Sequence, residues 1–193
     1  MKIICVECAY IEGRLPFVVK PASALLLPHN PFFYPDFSKC IMARMGVVAR
    51  VSKPGRSIDR KFAHLHYDSF SVALDICAAD LLEFCIANRL PHDMAVSFDA
   101  SFPIGKFVKM EELSTPFEEV SFSLIINGKE NATSCVGNLG VGFDEAVAAV
   151  SQSITLREGD FVFVPLSKSC PLHIDDRVEL VFDGKLSFRF NVK

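Results

Sequence analysis

In the segment ARMGVVARVSKPGR (43–56), Arg44 and Arg50 fall on one side of an alternating run. Ala43, Met45, Val47, Ala49 and Val51 fall on the other. Such alternation marks a half-buried strand, whose successive side chains point to opposite faces. A face carrying guanidinium groups suits carboxylates, which it grips through paired N–H donors. Gly46 leaves a gap between the two arginines. The other chemistry-bearing residues are isolated. Cys5 and Cys8 form a lone CxxC that overlaps a strand, and no second pair or histidine hairpin follows at zinc spacing. His64 and His66 flank Leu65 and would share a strand face, yet no carboxylate cluster accompanies them. Ser167 and Ser169 lack the GxSxG turn of a serine hydrolase.

The elements that must position these residues are mostly strands. KIICV (2–6) is a short apolar run expected to be a buried strand. The stretch LPFVVKPASALLLPHNPFFYPDF (15–37) carries five prolines, which exclude helix and central ladder positions and imply an extended, turn-rich crossing. Residues 40–51 alternate as a strand and close on the KPGR turn. FSVALDI (70–76) reads as a strand leading into a helix over CAADLLEFCIANR. The segment AVSFDASFPIGKFV (95–108) alternates and is rich in aromatics. VSFSLIINGKENATS (120–134) predicts a hairpin about Asn127-Gly128. DEAVAAVSQSITL predicts a helix with Asp144 placed to satisfy its first amides. Three strands fill the tail.

With 193 residues, the chain fits one domain that buries about 70% of its unfolded surface. A formal charge of −3 argues against a nucleic-acid partner, and no uncharged apolar run approaches the ~20 residues of a membrane span. Too few apolar residues precede Glu7 for a signal peptide, so a cytoplasmic chain with its seven cysteines reduced is expected.

Eight segments occur in an informative order: KIICV, KPASALL (20–26), VSKPGRSI (51–58), SVALDICAADL (71–81), SFDASFPIGKFV (97–108), NGKENATS (127–134), SQSITLREGDFV (151–162) and DRVELVFDGKLSF (176–188). This string resembles the fumarylacetoacetate hydrolase family across nearly the whole chain. The resemblance implies an α+β, β-dominated mixed β-roll with a few short flanking helices. It implies a single domain over 1–193, with an N-terminal strand, a shortened lid and a Pro-rich segment in 1–38 and the core in 39–193. It also implies a homodimer acting on 2-oxo and β-diketo acids by C–C hydrolysis, decarboxylation or isomerisation. The family's Mg²⁺ or Mn²⁺ is held by three carboxylates, as a hard cation prefers.

By that resemblance, the family's Glu-x-Glu ligand pair falls at Arg44 and Gly46, and no Asp or Glu lies between Phe37 and Ile58. Asp75 is the one remaining ligand position. The active-site lysine of the family has become Val96, its arginine Ala79, and its Thr-Gly-Thr-Pro loop VPLS (164–167). Arg-Asn-Tyr after the first strand reads Cys8, Ala9, Tyr10, and the lid lacks a histidine. No cofactor is therefore expected. The pocket candidates are Lys20 at the rim, Arg44, Asp75, Tyr10 and Arg50, with a small 2-oxo acid as ligand. The function expected is that of a divergent member with impaired or altered catalysis. The alternative is a non-catalytic binding or scaffold protein in which an Arg44–Asp75 pair plugs the old metal site.

Overall fold

The computed structural model describes residues 1–193. Its strands are β1 (Lys2–Val6), β2 (Phe17–Pro21), β3 (Leu25–Leu26), β4 (Ile41–Val51), β5 (Tyr67–Ala78), β6 (Phe102–Pro103), β7 (Val108–Lys109), β8 (Ser121–Ile126), β9 (Lys129–Cys135), β10 (Phe161–Pro165), β11 (Cys170–Leu172), β12 (Arg177–Phe182) and β13 (Lys185–Asn191). Three α-helices accompany them: α1 (Ala79–Ala87), α2 (Asp93–Val96) and α3 (Phe143–Ser153). The expected β-dominated α+β class holds. No helix is long and apolar enough to cross a membrane.

The main sheet runs β2-β1-β10-β4-β5-β7, with β11 beside the first half of β4. Two antiparallel pairs, β1–β2 and β4–β5, are joined only through β10, which lies parallel to β1 and antiparallel to β4. The sequence of β10, FVFVP, is buried at every position, the pattern of a strand covered on both faces. A second sheet, β13-β12-β8-β9, packs across one face of the first. Its β8–β9 hairpin turns on Asn127 and Gly128, both left-handed at φ 53° and 77°, as a two-residue turn of this twist requires.

Strand alternation divides the main sheet into two cores. Ala43, Met45, Val47 and Ala49 of β4 join Val72, Leu74 and Ile76 of β5 in the large core shared with the second sheet and α3. The opposite face holds a smaller core of Ile3, Cys5, Val48, Ala73, Phe102, Phe161 and Phe163. This inner face carries Arg44, Gly46 and Arg50. Gly46 is no empty gap, because a Cβ there would stand 2.5 Å from the Phe163 ring and collide with the Val164 carbonyl oxygen.

The inner face is strongly curled. Four strand steps separate β2 from β5, about 19 Å in a flat sheet, yet the Lys20 ammonium on β2 meets Asp75 on β5 at 2.7 Å. Only a sheet rolled on itself brings the two together.

Three local expectations give way to tertiary contacts. His64 and His66 lie in a 3₁₀ segment, Arg60–His66, and His66 Nδ1 lies 3.0 Å from the Lys53 carbonyl oxygen. Asp144 stands in the first turn of α3 as expected, but no side chain caps the helix at Gly142, and the carboxylate accepts a 2.8 Å hydrogen bond from the Tyr67 hydroxyl. The alternating aromatic run 95–108 holds the end of α2, the short β6 and the first residue of β7, and Phe102 turns inward to pack edge-on against Phe163.

Candidate functional site

Lys20, Asp75, Arg44 and Glu7 form a chain of alternating charge where the parallel pair β1 and β10 ends. Register explains the meeting. Lys20 lies opposite Ile3, and Glu7 follows Ile3 and Cys5 on the inner face of β1. Arg44 is the direct partner of Asp75 in the β4–β5 ladder. Pro165 ends β10 opposite Gly46, so no strand covers Arg44. Arg44 Nε donates to Asp75 Oδ2 at 2.9 Å, while Nη1 and Nη2 donate to Glu7 Oε2 and Oε1 at 2.8 and 3.0 Å. That is a fork-to-fork pairing, the strongest geometry for these groups.

Exposure falls steadily along the chain. The side chains of Glu7, Arg44, Asp75 and Lys20 are 40%, 19%, 11% and 1% exposed. Burying an ammonium this deeply requires complete compensation. Lys20 Nζ has it: besides Asp75, it reaches the carbonyl oxygens of Ile76 at 2.9 Å and Ser101 at 3.2 Å, and Ser101 Oγ at 3.3 Å. Burial works against the charge on Arg44, but Glu7 and Asp75 outweigh it and hold the guanidinium firmly protonated. Burial, with Asp75 adding to it, pushes the Cys77 and Cys5 thiols up, so neither is a ready thiolate.

These charges floor a cavity of about 360 Å³. Its other walls are Val18 from β2, Leu82 and Ile86 from α1, His92 and Val96 from the start and end of α2, with Cys77 and Ser169. Helix α1 is fixed by Asp80, which accepts hydrogen bonds from Ser38 Oγ at 2.5 Å, Lys39 N at 2.8 Å and Leu81 N at 2.9 Å. The cavity thus has one charged side and one largely apolar side. It can hold a small anion whose remainder is not strongly polar.

The sequence-derived candidates separate here. Arg44, Asp75 and Lys20 meet, though Lys20 is at the buried floor instead of the rim. Arg50 does share their sheet face, but six residues along β4 carry it about 20 Å away, over the Phe107 ring and 3.6 Å from Asp68. Tyr10 lies outside the cavity, in the surface groove between the Glu12 turn and α3. Gly46 packs against Phe163, so no ligating side chain fits there; the Arg44 neighbour on the open side of the same face is Met42, opposite Cys77. Glu7 is the residue that sequence reasoning missed. The extension of the Ile3-Cys5 alternation by one step is the signal that could have found it. Nowhere in the chain do three His, Cys, Asp or Glu side chains converge as a metal site would need.

Comparison with known proteins bears on the family and the fold. The family model described as fumarylacetoacetate (FAA) hydrolase C-terminal matches residues 7–187. The mitochondrial oxaloacetate tautomerase FAHD1 of Mus musculus is 27% identical over 176 residues, covering 91% of this chain and 79% of the relative. The oxaloacetate tautomerase YcgM of Escherichia coli is 22% identical over 194 residues, covering 95% and 89%. A crystal structure of fumarylpyruvate hydrolase from Pseudomonas aeruginosa, in complex with Mn²⁺ and pyruvate, superposes with a TM-score of 0.88 at 23% identity, covering 100% of this chain and 89% of that one.

Proposed function

Because the chain belongs to the fumarylacetoacetate hydrolase family, we propose that it is a divergent member in which fixed ion pairs replace the divalent cation. In this reading the adjoining cavity receives a small 2-oxo acid, of the kind its relatives' names record (oxaloacetate) and of the kind bound in the fumarylpyruvate hydrolase structure (pyruvate).

The observation that carries the reading is the position of the Arg44 guanidinium, between Glu7 and Asp75 and bonded to both. A hard divalent cation needs several free oxygen ligands. Here the two carboxylates are already engaged by a permanent positive charge, and the remaining neighbours are Lys20, Cys77 and Met42. The donor set does not fit Mg²⁺ or Mn²⁺. Arg44 and Lys20 supply positive charge that can hold a carboxylate or steady an enolate oxygen, but neither is a Lewis acid. Val96 stands where the resemblance places the family's lysine, and His92 is the one imidazole on the cavity wall. Binding, with slow enolisation at most and no C–C cleavage, is the expected behaviour.

Thermal unfolding with added ligands tests this. A Mn²⁺ site filled at a hundred times its Kd would stabilise the fold by about 2.7 kcal/mol, roughly 7 °C for a chain of this length. The expected result is no shift with Mg²⁺ or Mn²⁺, and a shift with pyruvate that is lost in Arg44→Met. A Mn²⁺ shift that disappears in Asp75→Ala would overturn the reading. A second reading, a non-catalytic scaffold, is favoured by one observation: all four charges are satisfied by each other without any ligand. It predicts no shift with either class of additive. Homodimerisation is part of the proposal, and sedimentation velocity checks it.

A further inference from the structure

We propose that Glu7 is an internal stand-in for the ligand's carboxylate, a gate that must leave the Arg44 fork before a carboxylic acid can bind there. The proposal rests on the reading of this cavity as an acid-binding site and names which atoms the acid engages.

Three observations carry it. First, the two carboxylate oxygens of Glu7 take up both terminal nitrogens of Arg44 at 2.8 and 3.0 Å, the arrangement a ligand carboxylate would adopt. Second, Glu7 is the only member of the charged chain with no other side-chain partner. Asp75 is shared between Arg44 and Lys20, and Lys20 also holds Ile76 and Ser101. Withdrawal of Asp75 or Lys20 would strand a buried charge, whereas Glu7 is 40% exposed and can turn into water. Third, Glu7 follows the last residue of β1 and opens the short loop that ends in the Ile11–Arg14 bridge, with Glu12 and Gly13 both left-handed. Its backbone is held by one hydrogen bond, Glu7 N to the Pro16 carbonyl, so its side chain can move without disturbing the sheet.

The consequence is that the cavity selects for carboxylates by exchange. An incoming acid replaces one carboxylate by another on the same fork, while its remainder lies against Val18, Leu82, Ile86 and Val96. Neutral analogues cannot displace Glu7, because they do not replace its charge.

Calorimetric titration with pyruvate, acetate and pyruvamide tests the gate, using the wild type, Glu7→Gln, Glu7→Ala and Arg44→Met, each checked for folding by circular dichroism. The expected result is at least tenfold tighter pyruvate binding in both Glu7 variants than in the wild type. Pyruvamide should not bind, and Arg44→Met should abolish binding. Folded Glu7 variants that bind pyruvate no tighter than the wild type would overturn the gate, even where the wild type binds and the 2-oxo acid reading stands. Equal gains for acetate and pyruvate would uphold the gate while removing the preference for 2-oxo acids. No carboxylate binding by any form would overturn both.

Discussion

Asp75 is the residue whose loss should be felt most. Replacing it with Asn keeps the shape but leaves the Lys20 ammonium, 1% exposed, without a counter-charge. Lys20 keeps three neutral oxygens of Ile76 and Ser101, which satisfy its protons but not its charge. Removal of one partner of a buried ion pair costs about 3–5 kcal/mol. Arg44 loses one bond but retains the Glu7 fork and touches solvent, so its share is smaller, up to about 1 kcal/mol. For 193 residues the unfolding entropy is about 0.4 kcal/mol/K, so Asp75→Asn should lower Tm by about 7–12 °C. Urea titration should show the same loss as a lower midpoint at an unchanged m-value. The decisive arm is the double variant Lys20→Met/Asp75→Asn, which removes both charges. It should recover at least half of the loss, because an apolar pair in place of a buried ion pair is often neutral. A cost below 1 kcal/mol for Asp75→Asn, or no recovery in the double variant, would refute the description of Lys20 as a buried, paired cation.

Further outcomes follow from single contacts. Gly46→Ala should destabilise by about 1–3 kcal/mol, because its methyl meets the Phe163 ring and the backbone oxygen of Val164; an unchanged urea midpoint would contradict the packing. Tyr67→Phe removes a hydrogen bond to the Asp144 carboxylate, worth about 1.5–3 kcal/mol. Burial, and then Asp144, raise the Tyr67 pKa, so the folded state keeps a proton that the unfolded chain releases above pH ~10. The wild type's advantage over Tyr67→Phe should therefore be full at pH 8 and shrink from pH 10 upward; a constant gap in midpoint from pH 8 to 11 would contradict it. Removal of divalent ions with a chelator should leave Tm unchanged.

What the sequence disclosed was what periodicity controls. The alternation of β4 and β5 showed which residues share faces, so Arg44 and Asp75 could be set side by side once the strands were aligned. The Asn127-Gly128 turn was legible because few residue pairs accept two left-handed positions in succession. The depth of Lys20 was not legible, because it depends on the roll of the sheet, and strand patterning carries no curvature. Arg50 looked equivalent to Arg44 for the same reason. Alternation sets the face but not which end of the strand meets the cavity. Gly46 looks like a gap in the sequence, but its lack of a side chain is a packing requirement of Phe163, 117 residues further along. Glu7 went unnoticed because it stands one residue past a run whose apolar character drew attention away from its alternation.

The position of β10 makes the charged site depend on contacts distant in sequence. Glu7 and Lys20 belong to the β1–β2 pair, Arg44 and Asp75 to the β4–β5 pair, and only the five residues of β10 stitch the two pairs together. All four charged residues lie between Glu7 and Asp75, yet the strand that joins their two pairs, residues 161–165, lies far along the chain from all of them. The two halves of the site therefore meet only where long-range pairing of β1 and β4 with β10 holds them. Closure of this cavity depends on a strand that contributes no charge to it.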